Sequence, residues 1–548
     1  MTLRRWGKQS WGLAALSMLA WALRLPPILD NRLHPDEALY GYWSFLIGCG
    51  RDPWLTTMPV YKPPLLPYLI AGSQALFGNS EFAVRLPGLA AGLLTVVLVA
   101  ALARSLYRDR WAATIAAVSV ALSPFAILFS ATAFTDPLMV ALGLGGCVAA
   151  TRGRPAWAGL LAGLAVATKQ TGLVWLPLVA LLQIPNPKSP ILTWTSQNQK
   201  GLFSTAPPWN RRCWRFNPAP ALSGRRGLTK PPQNYCPLCK NLIGKVLNPR
   251  CLLLVIGHWS LVILLVFGWD GIRVAHGADS FWRVGVAGYG GLRLIWPQEL
   301  WERLRGWVGL MRYLFASSLV NGALLVGLPV LLWRAVTHRR HTREALTDLL
   351  LISFLLTYFL LHWLWAFPVW DRYLLPLAPV LSLLLARTLT IFASHFRSLI
   401  AHRSWLIANC SLFILLILPA WNAAHSRYPV GGDHGAYDGI DEVAAFLRDL
   451  PAGAVVYQHW LGWQYAYYLF DGPVYLAYWP TPTWLAQDVQ VFGATDLRYI
   501  TFPSWESSAR VERALADVGY GLAPVLTTTR RDGTHSFTVY HVRLLSDQ

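Results

Sequence analysis

The sequence predicts a polytopic α-helical membrane protein of about eleven spans, followed by a small C-terminal α/β domain. Three observations predict it. Of 548 residues, 54% are hydrophobic and only 14% charged, where a soluble chain carries about a quarter charged residues. Apolar runs near span length recur from residue 11 to residue 421. The basic residues lie between those runs, on one side of an alternating topology, as cytoplasmic loops do.

The runs are roughly 11–29, 84–106, 111–130, 137–151, 155–168, 171–184, 251–268, 313–333, 349–366, 374–392 and 404–421. Arg4, Arg5 and Lys8 precede the first, which is expected to be an uncleaved anchor, because its apolar stretch continues to Leu29. Arg108 and Arg110, Arg152 and Arg154, "WRAVTHRRHTRE" and "HFRSLIAHR" all fall on the same side. So does 185–250, with eleven Lys or Arg and no acid. That side is read as cytoplasmic, which explains the net charge of +20 without nucleic acid as a partner. The segment 30–83 and everything after 422 then lie outside the cytoplasm, in a bacterial plasma (inner) membrane. No Asn-x-Ser/Thr sequon occurs in the external segments, and "LLSDQ" is no retention signal.

The chain divides into a membrane part, 1–427, and an external α/β domain, 428–548. In the latter, "DEVAAFLRDL" and "ESSARVERALADVGY" have helical spacing, and "AVVYQHW", "LRYITF" and "HSFTVYHV" read as strands. The basic loop 185–250 holds eleven prolines and no periodicity, and is expected to be poorly ordered. Its Cys236 and Cys239 lack two further ligands at zinc-knuckle spacing, so incidental cysteines are the reading. No disulfide framework is implied.

Charged residues collect at the external ends of the spans. Asp36 and Glu37 follow the first span in "LHPDEALYGYW". Lys62 stands in "YKPPLLPYL", Arg85 in "VRLPG", Asp136 in "ATAFTDPLMV", Lys169 in "ATKQTG", and Asp371, Arg372 and Tyr373 in "FPVWDRYLLPLAP". Each has a plain structural explanation: Asp136 before proline as a helix cap, Lys169 snorkelling, Asp371–Arg372 as a local ion pair. Together they say more. The topology rests on the basic loops alone, yet puts all of them at one face. Carboxylates beside cations near a lipid headgroup suit a lipid-linked phosphate and an acceptor hydroxyl.

The order of these motifs resembles glycosyltransferase family 39. That family includes the dolichyl-phosphate-mannose protein mannosyltransferases and the bacterial lipid A aminoarabinose transferases. The resemblance covers about residues 10–420, less the 185–250 loop. It implies a GT-C fold and an inverting transfer of sugar from a polyprenyl-phosphate donor to a lipid, glycan or protein acceptor. It further implies that Asp36 is the general base and Glu37 its support. Lys62, Lys169, Arg372 and the adjoining Tyr373 would hold the donor phosphate, with Arg85 in the same set. Asp136 would bind a divalent metal or position the donor. Aminoarabinose-type relatives carry an acid just before Lys-Pro-Pro; here that position is Tyr61. No nucleotide cofactor is expected, since no Gly-rich phosphate loop lies at that face.

Three other readings compete. A polyprenyl-linked oligosaccharide polymerase or ligase would share the architecture. A transporter or flippase for an anionic lipid-linked substrate would place charges near mid-membrane and show repeat symmetry. A non-catalytic scaffold would not need Asp36, Lys62 and Arg372 on one face.

Overall fold

The computed structural model describes residues 3–183, 249–288, 293–337, 343–395 and 404–545. Nearly all of the basic 185–250 loop, with Cys236 and Cys239, lies outside the described residues.

The described residues are mostly helical, and helices make up most of each apolar run. Among the described residues six helices are long and apolar enough to cross a membrane: Trp11–Asp30, Glu81–Tyr107, Pro249–Ala275, Ser318–Thr337, Glu344–Leu364 and Asp371–Ser394. A seventh forms if Arg110–Ala121 and Pro124–Ser130 count as one span, bent by 57°. The bend has a local cause. Pro124 lacks the N–H that would continue the first helix, and Ser123 starts the second by accepting from Ala126 N at 3.3 Å. The runs 137–151, 155–168 and 171–184 form helices shorter than expected of full spans. Pro155–Thr168 has 14 residues, which at 1.5 Å per residue reaches roughly 21 Å, against a hydrocarbon core of about 30 Å.

Small residues let these short helices pack backbone to backbone. A Cβ on Gly159 would sit 2.1 Å from Val255 O of the helix Pro249–Ala275. Only glycine fits, as in close packing of membrane helices generally. Gly159→Leu is therefore expected to force the two helices apart and to cost about 3 kcal/mol or more. Thermal unfolding in detergent checks this; an unchanged melting temperature would contradict the packing described.

Among the described residues five strands form one sheet in the order β2-β1-β3-β5-β4. They are β1 Val455–Gln458, β2 Tyr475–Tyr478, β3 Arg498–Pro503, β4 Tyr520–Thr529 and β5 His535–Leu544. β2, β1 and β3 run parallel; β5 and β4 are antiparallel. The expected strands correspond to β1, β3 and β5; β2 and β4 add to them. β4 carries Pro524 on the sheet edge, with a register shift beside it.

This α/β segment is fastened to the helices that carry the first acids. Phe45 stacks on Tyr467 with centroids 5.1 Å apart. A Cβ on Gly41 would lie 2.7 Å from the Tyr467 ring. Tyr468 Oη donates to Glu81 Oε1 at 2.8 Å, and Arg531 Nη2 donates to Asn31 Oδ1 at 2.9 Å.

Candidate active site

The helix Pro35–Gly48 starts with proline at its first position and a capping box. His34 Nδ1 accepts from Asp36 N at 3.2 Å, and Glu37 Oε2 accepts from His34 N at 3.0 Å. Successive helix positions turn by about 100°. The adjacent acids therefore face different surroundings.

Glu37 turns into the bundle and is fully buried. Its Oε1 accepts from Arg85 Nε at 3.0 Å and from Ala133 N at 2.8 Å; its Oε2 also accepts from Arg85 Nη2 at 3.2 Å. Arg85 is only 1% exposed. Besides Glu37 it donates to the carbonyls of Ile28, Asn31 and Arg32 at 2.7–2.9 Å. That commits all five guanidinium N–H groups. The expectation that Arg85 faces the donor phosphate is corrected here: it holds Glu37 and the exit of the first helix, and has no donor left for a ligand.

Asp36 turns outward, its side chain 22% exposed. One carboxylate oxygen accepts from Tyr61 Oη at 3.0 Å, and the other is ion-paired with Arg372 Nη1. Burial pushes the carboxyl up, but Arg372, then His34 and the two hydrogen bonds, outweigh it. The group ends below the ordinary carboxylate range. The Arg372 guanidinium lies 4.4 Å from the Trp370 ring centroid and 5.1 Å from that of Phe134. Asp371 fixes the turn beneath it, accepting from Arg372 N and from Gly431 N, each at 2.7 Å.

A second buried ion pair stands close by. Lys169 Nζ donates to Asp136 Oδ1 at 2.6 Å and lies 4.2 Å from the centre of the Tyr373 ring. Lys62 is also buried. Burial, then Lys169 and Arg372, push its amine well below the ordinary lysine value. Burial lowers Lys169 to about 8, opposed by Asp136. Asp36, Lys62, Asp136, Lys169, Arg372 and Tyr373 are thus brought together, and of the expected set only Glu37 and Arg85 point elsewhere.

A cavity of about 540 Å³ opens over Asp36 and Arg372. His34, Tyr61, Phe134, Trp370 and Asp371 form its walls, with Gly432 from the C-terminal segment and Gly285 from the helix Phe281–Gly288. Of these walls the sequence singles out Tyr61 and Asp371, but not His34, Phe134, Trp370, Gly285 or Gly432. His34 and Trp370 sit beside motifs already singled out, whereas nothing in "PVGGDH" or "FWRVGVAG" signals a cavity lining.

Asp136 carries one engaged oxygen and one buried oxygen, Oδ2, with no hydrogen-bond partner among the described residues. Its Oδ1 is held by an ammonium, and among the described residues no group of three His, Cys, Asp or Glu is placed to hold a metal ion. The donor set fits a phosphate better than a divalent cation.

The value near 8 for Lys169 has a binding consequence. Below pH 8 the amine is charged; as pH rises through 8 it loses its proton in the ligand-free site. An anion binds the charged form, so affinity for the expected polyprenyl phosphate should be level up to about pH 7 and fall above pH 8. In Lys169→Arg, which stays charged, the fall should disappear. Titration calorimetry across pH 6.5–9.5 decides it; a profile in the wild type that stays flat to pH 9.5 would count against this role.

Residues 61–194 match the family model described as dolichyl-phosphate-mannose-protein mannosyltransferase. That stretch contains Lys62, Arg85, Asp136 and Lys169 but neither Asp36 nor Arg372. No protein with a curated description matches. Among solved structures the chain is similar to ArnT from Cupriavidus metallidurans in the apo state, at 14% identity and a TM-score of 0.57, over 97% of this chain and 98% of that one. It is also similar to the same protein bound to undecaprenyl phosphate, at 13% identity and a TM-score of 0.54, over 96% and 97%. The family read from the motifs thus returns as a match to the dolichyl-phosphate-mannose-protein mannosyltransferase model over 61–194, and over nearly the whole chain the fold is similar to that of ArnT.

Proposed function

We propose that this protein is an inverting GT-C glycosyltransferase, which moves a sugar from a polyprenyl-phosphate donor to an acceptor hydroxyl at the outer face of the plasma membrane. The acceptor is lipid, glycan or protein. The reading includes about eleven membrane segments, a cytoplasmic N-terminus and an α/β segment outside. One observation carries it: a carboxylate at a half-open cavity, with Arg372, Lys169 and Lys62 gathered beside it from distant parts of the chain. The fold supports it, since ArnT has been crystallised with undecaprenyl phosphate.

The chemistry balances. Asp36 takes the proton of the acceptor hydroxyl as its oxygen bonds to the anomeric carbon. The bond from that carbon to the phosphate oxygen breaks on the opposite face, and its electron pair leaves with the phosphate. The phosphate gains a negative charge, which preorganised cations in a poorly hydrated site stabilise most strongly. General-base help is worth about 10²–10⁴-fold.

The test supplies purified protein with a panel of polyprenyl-phosphate hexoses and envelope extracts, and follows transfer by mass spectrometry. The expected result is a sugar-bearing product with the wild type that falls away in Asp36→Asn. Transfer from no donor in the panel would remove the proposal.

A further inference from the structure

We propose that Arg372 is shared between the base and the donor: in the donor-free protein it masks Asp36, and the donor phosphate draws it away, so that the donor binds first and unmasks the base. The inference rests on the transferase reading above.

The geometry supplies the parts. Both oxygens of Asp36 are engaged, one by the Tyr61 hydroxyl and one by Arg372, so an incoming hydroxyl meets a carboxylate already held. An ion-paired carboxylate is a poor base, and the depressed proton affinity of Asp36 agrees. Something must weaken the Arg372 contact before proton abstraction.

The turn beneath Arg372 is fastened. Asp371 bonds Arg372 N and ties it to Gly431 N. Redistribution must therefore occur in the side chain. The guanidinium lies against the rings of Trp370 and Phe134. Contact with ring faces leaves its N–H edge available for in-plane hydrogen bonds. A guanidinium carries five donors in a planar fork and can bond a carboxylate and a phosphate oxygen in turn or together. Lys169 repeats the scheme one layer deeper: it is held by Asp136 and rests on the face of Tyr373. Cations stored in carboxylate pairs keep the donor-free site close to neutral. A phosphate that enters competes with those carboxylates.

Competition has a signature that plain catalysis lacks: removing the base should tighten donor binding. Undecaprenyl phosphate is the probe, titrated calorimetrically into purified wild type, Asp36→Asn, Arg372→Gln and the double variant. Thermal unfolding first confirms that each is folded, and Arg372→Lys replaces Arg372→Gln if the latter is not. Asp36→Asn is expected to bind about tenfold tighter than the wild type, the worth of one charge-assisted hydrogen bond. Without Arg372, the same substitution should change affinity less than threefold, since the shared partner is gone. Equal or weaker binding by Asp36→Asn overturns the proposal and leaves the transferase reading standing. An equal gain with and without Arg372 also overturns it, because general charge repulsion would then suffice. A wild type that does not bind the lipid at all would sink both.

Discussion

Asp36→Asn is expected to lower sugar transfer by about 10²–10⁴-fold while the protein folds normally. The substitution is nearly isosteric. Asn keeps an oxygen that can accept from Tyr61 Oη, now 3.0 Å away. It loses the proton acceptor and the charge that faces Arg372. Asp36 also stands in the first turn of its helix, where a negative charge offsets the helix dipole by about 0.3–1 kcal/mol. That loss is small beside the stability of the bundle. Initial rates with one donor at saturating acceptor measure the effect. A variant that retains more than a third of the wild-type rate would show that another group takes the proton.

The second large effect concerns stability. Glu37→Gln removes the closer of the two carboxylates beside the buried Arg85 guanidinium, leaving Glu81 Oε2 at 3.6 Å and otherwise neutral partners. Breaking a buried ion pair from one side costs about 3–5 kcal/mol. Arg85→Met is expected to cost as much, because Glu37 would then be a buried charge with only His34 N and Ala133 N as donors. The paired replacement Glu37→Leu with Arg85→Met should lose less than either single change, since no uncompensated charge remains. Melting temperatures in detergent distinguish these cases. Single variants that melt with the wild type would refute the structural role given to Arg85. Activity alone would not separate this role from phosphate binding, which is why stability is the readout.

Much of the site was legible in the sequence because topology and chemistry agreed. In the sequence reading, loops rich in arginine assign the sides, and that assignment puts the acids and cations together at the opposite ends of the spans. Asp36, Lys62, Asp136, Lys169 and Arg372 do meet. Arg85 misled because a buried arginine that satisfies carbonyls and one that meets a phosphate look alike as letters; only its five committed donors tell them apart. The helix Pro249–Ala275 extends past its expected end near residue 268 for a similar reason. Asp270 and Arg273 read as charges that stop a span, yet Arg273 Nη1 donates to Asp270 Oδ1 at 3.1 Å, and Nε donates to Leu55 O at 3.1 Å. Satisfied charges let the helix continue. β2 escaped notice because it has four residues and no alternation of burial, and β4 because Pro524 reads as a breaker.

The hydrogen bond from Gly431 to Asp371 has a consequence for protein engineering. The residue before Arg372 is anchored by chain that lies between the helix Ser404–Ala424 and the sheet, and Gly432 closes one side of the cavity. The C-terminal part is thus no detachable module. A hybrid enzyme that borrows its sheet from a relative must retain the native stretch 430–433 with the native helices, or the seat of the arginine is lost along with the borrowed part.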